Sequence, residues 1–224
     1  MFLVEMFQRK TTMPTAAEAL AGRTAPIDTA RVHAVTGRPL KAPFPDGHRL
    51  AYFAMGRFSS AEKLFWPLDG VYVTAVGYAG GITPNPTYQE LLTSLTGHTQ
   101  TVMVVFDPAR IGYRALLARF FEGHDPTQAM RQGNDIGTFF RSAIFAAGED
   151  HLAEAEAARD LYQQALSSAG HSGRIVTEIA PAPPFYYAEA NHQQHAARTP
   201  GGQSGLRPTG VAFPDAEAGG AASP

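Results

Sequence analysis

Five apolar, β-rich runs separated by helical patterns narrow the folds open to this chain. They are 50–53 (LAYF), 71–81 (VYVTAVGYAGG), 101–106 (TVMVVF), 142–147 (SAIFAA) and 174–180 (RIVTEIA). Between them, Ala61, Leu64, Phe65 and Leu68 recur at helical spacing, and Pro67 should stop that helix early. Tyr113, Leu116, Leu117, Phe120 and Phe121 give a second helix one apolar face, and His151 to Ser168 reads as a long alanine-rich helix. The order β-α-β-β-α-β followed by α-β-α predicts an α+β fold. It is a ferredoxin-like (split β-α-β) two-layer sandwich with extra C-terminal helices.

Residues 1–48 lack sustained periodicity and read as an extended N-terminal arm wrapping a domain over 49–214; 215–224 read as a flexible tail. A chain of 224 residues with 44% hydrophobic content is ample for one core. A net charge of −2 gives no basic field for nucleic acid or an acidic membrane surface. No apolar run is long enough to cross a bilayer, and the charged start does not resemble a secretory signal, so a cytoplasmic location is expected. The sequence contains no cysteine, which excludes disulfides, thiolate catalysis and cysteine-based metal sites.

The stretch 51–68 reads as strand, tight turn at Met55-Gly56 and helix start, with Ser59-Ser60-Ala61-Glu62 as a capping box and Ser59 as its N-cap. A helix start favours an anion, yet the corner residue is Arg57, a mismatch of roughly 0.3–1 kcal/mol unless an acid or anionic ligand meets it. The loop 124–140 (HDPTQAMRQGNDIGTFF) is longer than a connection needs and is a natural place for a site.

Several stretches together resemble the A-type peptide methionine sulfoxide reductases. These are Gly56-Arg57-Phe58 with Ala61-Glu62, GYAGGITPNPTY (77–88), TGH (96–98), HDPTQAMRQGND (124–135), GT (137–138), RSAI (141–144), FYYAE (185–189) and HQQ (192–194). The match runs over roughly residues 24 to 214 and implies the ferredoxin-like layer. It also implies a chemistry in which a cysteine in a Gly-Cys-Phe-Trp-Gly turn attacks the sulfoxide sulfur. A nearby acid and two tyrosines bind and protonate the leaving oxygen, and tail cysteines resolve the sulfenic acid for recycling by thioredoxin. In this chain the nucleophile position is Arg57, the tryptophan position Ser59 and the acid position Gln100. Tyr88 is present where the first oxygen-binding tyrosine belongs, but Phe140 stands at the second. Ser204 and Phe213 stand where resolving cysteines occur, while Phe58 and Asp135 match the family.

Arginine is no nucleophile at neutral pH, and a primary amide is a poor proton donor. The expectation is therefore a repurposed non-redox enzyme, not a thiol-dependent sulfoxide reductase. It would carry out cyclisation, isomerisation or dehydration (a lyase) on a small oxygenated molecule, in a setting such as specialised-metabolite biosynthesis. Arg57 would polarise an oxygen, Asp135 would move a proton, and Tyr88 would orient the substrate as the third catalytic residue. Phe58, Ser59, Gln100, Phe139, Phe140, Tyr186 and Tyr187 would line its pocket.

Blander roles stay open: Arg57 as a surface charge, Asp135 as turn chemistry in Gly133-Asn134-Asp135, Phe139 and Phe140 as wall, Tyr186 and Tyr187 as core. His192 and His195 form an H-x-x-H that is weak evidence for metal, so neither metal nor cofactor is expected, nor is thioredoxin as a partner. The alternatives are a catalytically inactive pseudoenzyme that binds a methionine-containing peptide or partner, and a residual reductase relic.

Overall fold

In the computed structural model, the structure describes residues 9–199, 201, 202 and 204–214. The expected tail at 215–224 lies outside them. Strands β1 (Arg49–Met55), β2 (Val71–Ala79), β3 (Thr99–Phe106) and β6 (Ser142–Ala146) form the middle of a six-stranded sheet ordered β7-β6-β1-β3-β2-β8. Strand β3 lies antiparallel between β1 and β2, with Tyr52 opposite Met103 and Ala75 opposite Met103 on its other side. That insertion is the split β-α-β arrangement, and the fold is α+β. The edge strands are β7 (Glu178–Pro181), parallel to β6, and β8 (Tyr186–Tyr187), antiparallel to β2.

Side chains alternate across a strand, so each run feeds two faces. Phe53, Val102, Val104 and Ile144 meet helices α3 (Tyr113–Gly123) and α4 (Glu149–Ser168) through Leu116, Phe120, Ala158 and Tyr162 in one core. Phe53 stacks on Phe65 at 5.1 Å and lies 5.4 Å from Phe120; fully burying such side chains stabilises by about 1.5–3 kcal/mol each. On the other face Val73, Ala75, Met103 and Val105 are covered by Leu40, Ala30 and Phe44 of the N-terminal segment. That segment is tied down by the Thr29 hydroxyl donating to the Ala188 carbonyl at 2.6 Å and by an Arg23–Glu90 ion pair at 2.7 Å.

Three local readings need correction. Helix α1 spans only Phe58–Glu62; its N-cap is Arg57, and no side chain caps it. Ser59 is inside the helix, and Glu62 cannot reach back to a cap because its carboxylate is buried in the core, where Thr74 and Gln194 bind it. The capping box belongs instead to Thr87 and Glu90 at the start of α2 (Tyr88–Leu91). Within the supposed loop at 124–140, β4 (Arg131–Gln132) and β5 (Asp135–Ile136) form a hairpin, followed by a 3-10 turn at Thr138–Phe140.

After α5 (His195–Arg198), residues 204–213 form a strap over the α-helical side. Tyr162 donates to the Val211 carbonyl at 2.9 Å, and the Phe213 amide donates to Glu122 Oε1 at 2.8 Å. No helix among the described residues is long and apolar enough to cross a membrane.

Candidate active site

The corner between β1 and α1 turns on Gly56, whose φ of +97° favours glycine and where a Cβ would come within 2.7 Å of Gln132 Cβ. The hairpin therefore packs directly on the corner. This brings Asp135 to Arg57: Nε donates to Oδ2 at 2.5 Å and Nη2 to Oδ1 at 2.6 Å, a bidentate pair. The pair is lopsided, with the arginine side chain 52% exposed and the aspartate only 13%. The strap closes over it, since a Cβ on Gly205 would lie 2.6 Å from Asp135 Oδ2. Gln132 locks hairpin and strap together by accepting from the amides of Asp125 and Arg207, both at 3.2 Å.

Gln100, buried on β3, accepts the Phe58 amide proton through Oε1 at 3.2 Å. That bond fixes the amide's orientation, and Nε2 is left buried with no hydrogen-bond partner. A buried donor without an acceptor costs about 1–3 kcal/mol, so this N–H marks a place for an acceptor. Phe58 lies 6.1 Å from Tyr88 and 5.5 Å from His192, and His192 lies 4.4 Å from Tyr88, which makes an apolar seat beside the corner. Glu189 braces it, accepting from the Tyr78 hydroxyl at 2.7 Å and the Tyr88 amide at 2.8 Å. Burial raises the Tyr88 hydroxyl's pKa, and the charges of Arg57 and Asp135 act on it in opposite directions. The phenol thus stays protonated as a donor.

Arg57, Phe58, Tyr88, Gln100 and Asp135 come together at this corner. Ser59 faces a cavity of about 750 Å³ between α1, α3 and the strap. Phe139 and Phe140 are buried wall, their rings 4.4 Å apart. Tyr186 packs edge-on to His98 at 5.5 Å. Tyr187 opposes Gly77 and packs on the far face, with Met103 and Phe185, so the strand alternation takes it away from the pocket. Phe213 is buried against Phe121 and Tyr162.

In the sequence His192 counted only as half of a weak H-x-x-H, Glu62 read as the acid of a capping box and Glu189 had no role; FYYAE and HQQ carried the signal. Glu62 accepts from Thr74, the Gln194 amide and the Gln194 side chain, and burial pushes its pKa up to about 7 despite those donors. No cluster of metal-ligating side chains occurs among the described residues.

The family model for peptide methionine sulfoxide reductase matches residues 49–210. This chain belongs to that family. It is 57% identical to peptide methionine sulfoxide reductase MsrA 1 of Rhizobium meliloti (strain 1021) over 96% of this chain and 99% of the relative. It is also 57% identical to MsrA of Agrobacterium fabrum over 94% and 98%. Among solved structures, methionine sulfoxide reductase A of Corynebacterium diphtheriae superposes with a TM-score of 0.80 at 41% identity, covering 91% of this chain and all of that one. Mxr1 of Saccharomyces cerevisiae in reduced form gives 0.66 at 28% identity, covering 74% and 94%.

These relatives overturn the functional expectation. The two bacterial relatives and the Corynebacterium structure carry reductase names over 91% or more of this chain, and none supports a repurposed cyclase, isomerase or lyase, a role in specialised metabolism, or an inactive peptide-binding pseudoenzyme. The family is an enzyme family. The expectation that thioredoxin is no partner is withdrawn as well: Mxr1, whose reduced form matches this fold, is itself described in complex with Trx2. The departures at Arg57, Ser59, Gln100 and Phe140 do not outweigh 57% identity over nearly the whole chain.

Proposed function

We propose that the protein reduces peptide-bound methionine sulfoxide, the substrate class named for its relatives, with both electrons supplied by thiols from outside the chain. The unpaired Gln100 amide N–H carries this reading: it is a fixed donor awaiting an oxygen, beside an apolar seat for a methyl group. Phe58 and His192 hold the S-methyl end, and Gln100 Nε2 and the Tyr88 hydroxyl donate to the sulfoxide oxygen. Because the chain has no cysteine, an incoming thiolate makes the attack. Its sulfur bonds to the sulfoxide, the S–O bond breaks, and the thioether leaves with a sulfenic acid formed on the thiol. A second thiol converts that acid to a disulfide and water, so two thiols are oxidised and one sulfoxide is reduced. Arg57 favours the attacking thiolate over the thiol, and Asp135 holds the guanidinium in place. Such thiols are abundant in a reducing cytoplasm, the setting proposed for the protein.

The test is methionine formation from an N-acetylated methionine sulfoxide peptide with dithiothreitol, with and without the protein, read by chromatography. The reading requires saturable, protein-dependent turnover. Rates equal to the protein-free control would reject it.

A further inference from the structure

The cavity beside the corner is distinct from the aromatic seat. It lies between α1, α3 and the strap, has a volume of about 750 Å³, and has Arg57 in its lining. Its charged lining among the described residues is Arg57, Lys63 and Arg119 against a single acid, Glu122. Asp135 balances Arg57, but only through Nε and Nη2; among the described residues, Nη1 makes no hydrogen bond. Lys63 and Arg119 are exposed at the cavity wall and form no ion pair with any described residue. Glu122 already spends one oxygen on the Phe213 amide. The cavity is thus locally positive in a chain whose net charge is −2. Serines at 59 and 204 add hydroxyls to the lining, and the volume falls within the range that holds small organic ligands.

We infer that this cavity binds an anionic, low-molecular-mass thiol and delivers its sulfur to the corner at Arg57. The inference rests on the external-thiol reading given above and names the class of reductant. Carboxylates of the thiol pair with Lys63 and Arg119, and the thiolate lies toward Arg57 Nη1. The sulfur then faces a sulfoxide held on the other side of the corner by Gln100 and Tyr88. A side chain at position 59 larger than serine would reduce the space through which the thiol enters.

The test has two readouts on the full chain. Sulfoxide reduction is measured with glutathione, 2-mercaptoethanol and cysteamine, and binding of S-methylglutathione, which cannot act as reductant, is measured by calorimetry. The expected result is a kcat/KM for glutathione about tenfold above that for the neutral thiol and lowest for the cationic one, with the preference shrinking in high salt. S-methylglutathione should bind saturably, and Lys63→Gln with Arg119→Gln should abolish the preference and the binding together.

Equal rates with all three thiols and flat titrations would overturn the cavity assignment while leaving the reductase reading intact. Saturable binding lost in the double variant, with no thiol supporting reduction, would support the anion cavity and remove the reductase reading.

Discussion

Arg57 reaches Asp135 with two of its three nitrogens, and its side chain also lines the cavity. A side chain that is half-exposed while its partner is covered works as a lid on the aspartate and a positive rim for whatever approaches. The same position is where the family resemblance implies a cysteine, and this gives a direct prediction. Arg57→Cys should produce a burst of one methionine per protein molecule from a sulfoxide peptide with no reductant present, the thiol becoming a sulfenic acid. Quenched-flow chromatography of the product measures it, and absence of a burst would mean that the corner does not face bound sulfoxide. Gln100 separates stability from binding. Replacing it by Met removes the acceptor for the Phe58 amide and also the unpaired N–H, so the two costs offset and denaturant-derived stability should change by less than about 1 kcal/mol. KM for the sulfoxide should nonetheless rise several-fold, on the order of one lost hydrogen bond.

Among the elements, α1 and α2 show how alike sequence signatures part company. Ser59-x-x-Glu62 and Thr87-x-x-Glu90 both have capping-box spacing, and only the second forms one. The difference is tertiary. Buried donors at Thr74 and Gln194 capture Glu62, whereas Glu90 is on the surface, where it binds Thr87 and Arg23. Thr87→Ala should therefore cost about 1 kcal/mol in urea unfolding, and Ser59→Ala no more than about 0.5 kcal/mol, since no cap is lost. Equal losses would contradict the assignment. The four central strands were legible as bounded runs rich in apolar, β-branched and aromatic residues, and the helix order followed from 3.6-residue spacing; the run at 174–180 becomes a strand only from Glu178, and β8 was not anticipated. The hairpin at 131–136 was not, because two-residue strands have no period to detect. The pairing of Arg57 with Asp135 could be anticipated from the need to compensate a fixed charge. The seat formed with His192 could not, since it depends on β8 and the following turns folding back beside β2.

At the scale of the molecule, the N-terminal segment, the sheet, α1 and the C-terminal turns meet in one buried polar chain. His33 Nδ1 accepts the amides of Val35 and Thr36, so Nε2 carries the proton and donates to Thr74 at 3.0 Å. Thr74 in turn donates to Glu62 at 2.9 Å. Burial pushes His33 down to about 4 and Glu62 up to about 7. The histidine's contribution to stability is full above its unfolded value of about 6.5 and is lost as pH falls toward 4. The glutamate's runs the other way: it is full below about 4.5 and lost as pH rises through about 7. The two oppose each other between those unfolded values. Glu62→Gln should accordingly make stability fall more steeply on acidification from pH 6.5 to 4.5 than in the unsubstituted protein, as read from urea midpoints across that range. A parallel pH profile would show that Glu62 does not titrate in the folded state.

This link ties the N-terminal segment at His33 and the C-terminal turn at Gln194 to the helix that Arg57 caps, so the corner is held from three directions while offering no thiol of its own. Turnover of a methionine sulfoxide peptide by the cysteine-free chain, followed as methionine released per molecule of protein with dithiothreitol as sole reductant, tests the account most directly. It predicts many turnovers that saturate with sulfoxide concentration; release no faster than in protein-free buffer would contradict it.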